Sequence, residues 1–449
     1  MAKTMTEGKP IKLLLQFAAP LLIGNILQQT YNIIDAAIVG RILGANALAS
    51  VGATSSVQFM VLGFCMGTCT GFGVPVAKCF GARRLDRMRD YIFNGLVLTA
   101  AVAAILTTLC GLLCPWILHI LSVPEELYRN AHQYLLVIFL GLPFTFLYNL
   151  LASILRSVGD SRTPFFFLLI STVLNIVLDL FCIVVLKWGC AGAAIATVVA
   201  QAVSGILCLI FIKKKVEILH PARENCRMSG MVSRDLLLMG LPMGFQFSIT
   251  AIGSMVMQSA NNSLGSIYVS GFTAALKIKQ FTMCPFDAFA TSISVYCGQN
   301  LGAGKLKRIK QGIKEASLIA IGYGLAAGAV LILGGRTLSM LFVSGDETAV
   351  LDAAAKYLRC MGYFFWTLGL LNVVRLSIQG LGYAGRAVFA GVFEMIARSV
   401  VSLGFVGVFG FTAICFADQT AWVSACLYLI PTCILCLKKT AKKLKVSNA

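Results

Sequence analysis

Twelve stretches of twenty or more mostly apolar residues, parted by short polar runs, constrain this chain more than any other feature. A hydrocarbon layer of ~30 Å is crossed by ~20 helical residues. Backbone groups find no water there, so each crossing must satisfy its own hydrogen bonds as a helix. The stretches fall near residues 12–39, 52–77, 91–118, 131–155, 164–186, 190–212, 235–260, 268–298, 312–342, 352–380, 386–409 and 413–437. Only 12% of residues are charged, against about 25% in a soluble domain. Most of the surface therefore faces lipid. The expected fold class is an all-α membrane protein of about 12 transmembrane helices.

The basic residues test that count. With both termini on the cytoplasmic side, 27 of the 37 Lys and Arg fall in inner segments, including Arg83, Arg84, Lys213 to Lys215 and Lys438 to Lys443. The outer loops hold five: Arg41, Arg129, Lys187, Arg336 and Lys356. Such an excess is the positive-inside pattern of a multi-pass inner-membrane protein. One missed helix early in the chain would scramble it.

Several functions are excluded on the same grounds. The basic residues form short runs between spans rather than the contiguous face that nucleic acid requires. Most of the 16 cysteines stand alone in apolar segments, where Cys acts as a small hydrophobe. Cys433 and Cys436 form a CxxC with no histidine or second pair nearby. His119, His132 and His220 are the only histidines, so a zinc or haem site has little to build on. No nucleophile–base pair suggests an enzyme. No cofactor is expected beyond a bound Na+ or H+ acting as coupling ion. The first apolar stretch continues well past the length of a signal peptide's core and is read as retained.

The chain repeats itself. Leu43-Gly44 recurs as Leu264-Gly265, Gly81-Ala82 as Gly302-Ala303, Leu85 as Leu306 and Arg87 as Arg308, all at a spacing of 221. Pro20 pairs with Pro242 one residue out of step, and Leu155 to Gly159 lines up with Ile378 to Gly382. The longest polar connection separates two sets of six helices. The expected domains are an N-lobe over 1–212, a cytoplasmic connecting loop over 213–234, and a C-lobe over 235–449 that ends in a short basic tail. Six helices return the chain to its starting side, so the halves are parallel repeats. That plan belongs to transporters whose halves rock about a central site.

A charge in mid-bilayer is costly, which makes each intramembrane acid a functional candidate. Four stand out: Asp35, Asp179, Asp287 and Glu394. At 1.5 Å per residue, Asp35 lies roughly 9 Å below the outer end of the first helix. Asp179 on the fifth helix and Thr197 on the sixth lie about 12 Å down on the same scale. Asn175 shares a face with Asp179 by the i, i+4 rule. These four are placed to converge in the outer half of the N-lobe. Two carboxylates close together in low dielectric do not both stay ionised unless a cation joins them; otherwise one holds a proton. Either outcome makes a coupling-ion site. The alternative is a structural hydrogen-bonded pair bracing two helices.

Glu394 and Arg398, at i, i+4, read as a self-satisfied ion pair. Asp287 is read as a gating or structural charge towards the cytoplasmic side. Lys277, Lys279, Arg359 and Arg375 take no role at this stage. Gln28, Tyr31, Asn32, Gln58, Met60, Gln246, Met255, Met257 and Gln258 mix amides, an aromatic and Met, as adaptable binding surfaces do. Each is equally readable as helix packing.

These residues resemble a family. Pro20 to Asn25, Tyr31 to Asp35, Gly40 and Leu43-Gly44 resemble the first helix of the MATE (multidrug and toxic compound extrusion) transporters. Asn175 to Asp179, Gly192 to Thr197 with Gln201, and the Gly159-Asp160 … Pro164 loop are similar to the same family. The likeness covers essentially the whole chain and is nearest to the MepA/DinF-like bacterial branch. It implies a cation-coupled (H+ or Na+) efflux antiporter, with cationic or amphipathic drugs as partners and Asp35, Asn175, Asp179 and Thr197 as the cation site. A monomer in the bilayer is expected. The NorM branch carries acids where this chain has Thr250 and, nearby, Leu368, which puts a C-lobe Na+ site of that kind in doubt. A lipid-linked precursor flippase of the same superfamily is the alternative, and a major-facilitator transporter is a third reading.

Overall fold

The computed structural model describes residues 3–121 and 123–447, and among these every regular element is helical. In chain order they are α1 (Pro10–Ile38), α2 (Ala45–Gly81), α3 (Leu85–Ile120), α4 (Glu125–Leu140), α5 (Leu142–Ser157), α6 (Arg162–Leu180) and α7 (Gly189–Lys215). Then follow α8 (Gly230–Asn262), α9 (Ser266–Gly302), α10 (Leu306–Ser339), α11 (Thr348–Gly380), α12 (Ala384–Gly404), the single turn α13 (Val406–Phe409) and α14 (Phe411–Ser447).

Ten of these helices are individually long and apolar enough to cross a membrane, and α4 with α5 passes the same test as one span bent by 45°. The bend falls where Pro143 has no amide hydrogen to give the preceding turn. The twelfth long helix, α9, spans 37 residues but does not meet the apolar test. The expected twelve-helix fold is therefore present.

The repeat is written into the backbone. α2 and α9 are each 37 residues long and begin and end 221 positions apart. Each is preceded by a glycine in the left-handed region, Gly44 at φ +91° and Gly265 at φ +102°. A side chain there would strain the turn. Gly159 and Gly382, which close the loops of the second aligned pair, share φ values of +86° and +87°.

The chain forms two compact units, one of Met1–Thr4 with Ile23–Gly244, the other of Met5–Leu22 with Phe245–Ala449. The early part of α1 therefore belongs to the second unit and the early part of α8 to the first. Pro20 and Pro242 each stand two residues before the change.

Between membrane helices, apolar surface gives little net driving force, and close packing through small residues takes its place. In the first unit, a Cβ added to Gly71 of α2 would lie 2.6 Å from the Cα of Gly240 on α8. Around this contact Phe72, Met88, Phe139 and Phe146 are sealed from solvent. In the second unit, Phe272, Phe286, Tyr296, Tyr357, Phe365 and Trp422 form the core. The segment before α1 is held there by side chains. Gln299 accepts the Met5 amide at 2.7 Å, Asn300 donates to the Met5 carbonyl at 3.2 Å, and Arg308 donates to the Gly8 carbonyl at 2.8 Å. In the first unit, Asn94 of α3 likewise binds the segment before α8, at Arg227 and Ser229.

Candidate ion and substrate sites

In the first unit the structure brings Asp35, Asn175, Asp179 and Thr197 together. Asp35 and Asp179 lie within hydrogen-bonding reach of each other. Asn175, one turn before Asp179, has its amide oriented so that its NH2 donates to Asp179 Oδ2 at 3.0 Å. The amide oxygen then accepts the Thr197 N–H at 3.1 Å. Tyr31 Oη shares a hydrogen bond with Thr197 Oγ1 at 3.3 Å. Asp179 and Asn175 are buried and Asp35 is half-buried.

Two carboxylates cannot sit in mutual reach as bare anions in a low dielectric; a proton or a cation must stand between them. One oxygen of each, Asp35 Oδ1 and Asp179 Oδ1, is buried with no hydrogen-bond partner. The donor set of carboxylate, amide and hydroxyl oxygens suits a hard cation, which takes oxygen ligands.

Local structure sets this geometry. α1 runs into a wider π turn at Val39–Leu43, four residues past Asp35, and α6 into another at Phe181–Val185, two past Asp179. Such turns shift the register of the side chains before them and recur at functional sites. A cavity of about 20 Å³ adjoins Tyr31, Asn175, Thr197, Gln28 and Gln201, enough for one water. Tyr134 of α4 stands beside Gln58 and close to Asp35. Nothing in its own helix marks it out; its place comes from the neighbours that folding gives it.

In the second unit a chain of alternating charges is buried. Lys279 of α9 binds Asp418 Oδ2. Asp418 Oδ1 accepts from Arg398 Nε at 2.8 Å, Arg398 also approaches Glu394 at 3.6 Å, and Glu394 binds Arg375. Tyr357 donates to Asp418 at 2.6 Å, and Lys279 lies 5.4 Å from the Trp422 ring centre. The expected Glu394–Arg398 pair is thus part of a five-member network. The four intramembrane acids read from the sequence become five. Asp418 was passed over because it lies close to the start of the last apolar stretch, where a span and its preceding loop are hard to tell apart.

Asp287 is placed apart from this network. It stands on an exposed face of α9, 21 residues from one end of the helix and 15 from the other. Its side chain makes no hydrogen bond or ion pair with the described residues. Of the candidate lining residues, Gln28, Tyr31, Gln58, Met60, Met255 and Gln258 are half-buried and Asn32 is exposed. Gln258 is bonded to Asn262 at 2.8 Å. Gln246 is buried against Gln379, and Met257 is in the core at 2% exposure. Both are enclosed in the helix packing of this structure.

Comparison with known proteins agrees with this architecture. The MatE family model matches twice, over residues 20–181 and 242–403. The chain is 28% identical over 383 residues to the "Probable multidrug resistance protein YpnP" of Bacillus subtilis, covering 85% of each chain. It is 26% identical over 363 residues to the "DNA damage-inducible protein F" of Escherichia coli, covering 77% of this chain and 75% of the other. A solved structure described as "MATE in complex with MaL6" superposes with a TM-score of 0.91 over 98% of both chains at 21% identity.

Proposed function

Because this chain belongs to the MatE family of multi-pass multidrug efflux transporters, and not to any enzyme class, we propose that it is a cation-coupled antiporter. It exports cationic or amphipathic small molecules across the bacterial inner membrane, with both termini cytoplasmic. One observation carries the coupling: Asp35 and Asp179 lie in mutual reach inside the first unit, each with an unsatisfied buried oxygen.

A proton or Na+ entering from outside satisfies this pair and favours the state from which substrate leaves. Loss of the ion to the cytoplasm favours the state that loads substrate. The exchange works only because the ion's affinity differs between the two states. Asn175 and Thr197 orient the Asp179 carboxylate, and Tyr31 fixes the Thr197 hydroxyl. Asp418 and Glu394 of the second unit do not offer an equivalent site, since they are already matched by Lys279, Arg398 and Arg375. The flippase reading rests on a cationic cavity with Lys277, Lys279 and Arg375; the same engagement takes Lys279 and Arg375 from it and leaves Lys277.

The test is substrate efflux from proteoliposomes holding the purified chain, with proton and sodium gradients imposed separately. Efflux driven by one gradient supports antiport. Efflux indifferent to both sinks it.

A further inference from the structure

The exposed stripe of α9 differs from the lipid-facing stripe of α10. Thr273, Lys277, Gln280, Met283, Asp287 and Thr291 follow one another at spacings of three or four, and all are exposed or half-buried. Those spacings put them on one face. By contrast, the exposed residues of α10 include Leu318, Leu325, Val330 and Leu333, as hydrocarbon demands. A Lys and an Asp set well inside a membrane helix face water or a partner, not lipid. Neither Lys277 nor Asp287 has an ion-pair partner among the described residues. Arg375, the cation whose charge Asp287 feels, is engaged by Glu394.

The internal repeat supplies a control. At the spacing of 221, the same face of α2 carries Gly52, Ser56, Phe59, Leu62, Met66 and Thr70, with the same pattern of exposure. Asp287 thus stands where the first unit has Met66, and Lys277 where it has Ser56. The fold exposes this face in both units, but only α9 has charged it. The stripe also opens at one end into a recess of about 480 Å³, lined by Thr273, Lys277, Phe342 and Glu347.

We propose that this face of α9 is the polar wall of a hydrated substrate path, and that Asp287 holds the cationic group of the substrate while the recess at Lys277 and Glu347 is its mouth. The proposal rests on the export of organic cations argued above and adds the residue that recognises their charge. Met283, one turn before Asp287, gives the adjoining apolar part of such a molecule an adaptable surface.

Two measurements decide it. First, single cysteines at Gln280, Met283 and Thr291 are treated with a membrane-impermeant cationic thiol reagent, with Leu325→Cys as the lipid-facing reference. The wall predicts labelling at the three α9 positions above the reference and above the unsubstituted chain. Labelling no greater than at Leu325 overturns it, whatever the chain transports. Second, ethidium export is compared in wild type, Asp287→Asn and Asp287→Glu. The anchor predicts an apparent affinity about tenfold weaker in Asp287→Asn and restored in Asp287→Glu. Unchanged affinity in Asp287→Asn, or a loss that Asp287→Glu does not restore, overturns the anchor. Labelling along the face in the cysteine variants, with no ethidium export by the wild-type chain, also overturns the anchor, and with it the cation-export reading, while the wall stands.

Discussion

Tyr357 donates its hydroxyl to Asp418 Oδ2 at 2.6 Å, completing a carboxylate that Lys279 and Arg398 already engage. Asp418→Asn strands Lys279 and leaves Arg398 with Glu394 alone, at 3.6 Å. Breaking a buried pair from one side costs ~3–5 kcal/mol. Thermal unfolding in detergent will show a marked drop in midpoint for Asp418→Asn. A double variant, Lys279→Met with Asp418→Asn, recovers part of it, because one stranded charge has gone.

The carboxylate pair of the first unit behaves differently. Asp35→Asn or Asp179→Asn removes a charge whose partner is another acid, so folding is kept while coupling is lost. Gradient-driven dye efflux will fall at least tenfold in either variant, with expression and melting near wild type. Full efflux in both variants sinks the mechanism.

If the coupling ion is a proton, the sign of the pH response is fixed. The proton enters from outside as drug leaves, so acidifying the outside at constant internal pH speeds export. Dissipating the gradient with a protonophore slows it. The measurement is initial efflux from proteoliposomes at matched internal pH. A sodium-coupled chain gives the same response to a sodium gradient and none to pH.

Asn175→Ala takes away the hydrogen bond to Asp179 and the acceptor for Thr197. Losing one hydrogen bond to a charged group costs about 1.5–3 kcal/mol. The expected result is tighter ion binding, seen as a lower ion concentration at half-maximal efflux, because the ion-free carboxylate loses a donor that stabilised its charge.

Close packing makes a further prediction. Gly71→Val drives side-chain atoms into the Gly240 backbone, where even a Cβ has only 2.6 Å. Overpacking of this kind costs about 1–3 kcal/mol, and more when backbone must shift. Melting temperature will fall, and Gly240→Ala on its own will fall less than the two together.

The fold was legible because a bilayer leaves a chain few options. Span length, the polarity of the connections and the side on which Lys and Arg gather all report the same twelve crossings. α9 falls short of the apolar test as a helix, yet its stretch 268–298 stands out in the sequence as mostly apolar. The meeting of Asp35 with Asp179 followed from depth along two helices. What stayed hidden was rotation about each helix axis. Met257 and Met255 look alike in sequence, yet one is in the core and the other is half-buried. The Lys279–Asp418 contact joins residues 139 positions apart, and no local pattern announces a pairing of that kind. Tyr134 was missed for the same reason: its importance comes from the neighbours that folding gives it.

The prolines of α1 and α8 carry a last consequence. Each helix starts in the packing of one unit and finishes in that of the other, and Pro20 or Pro242 stands two residues before the handover. A proline has no amide hydrogen for the preceding turn, so a rod flexes there without breaking a bond it possessed. The two rods are therefore notched at the one place where their allegiance changes. Strain arriving from either core is delivered to the joint, and on α1 the joint lies four helical turns ahead of Asp35.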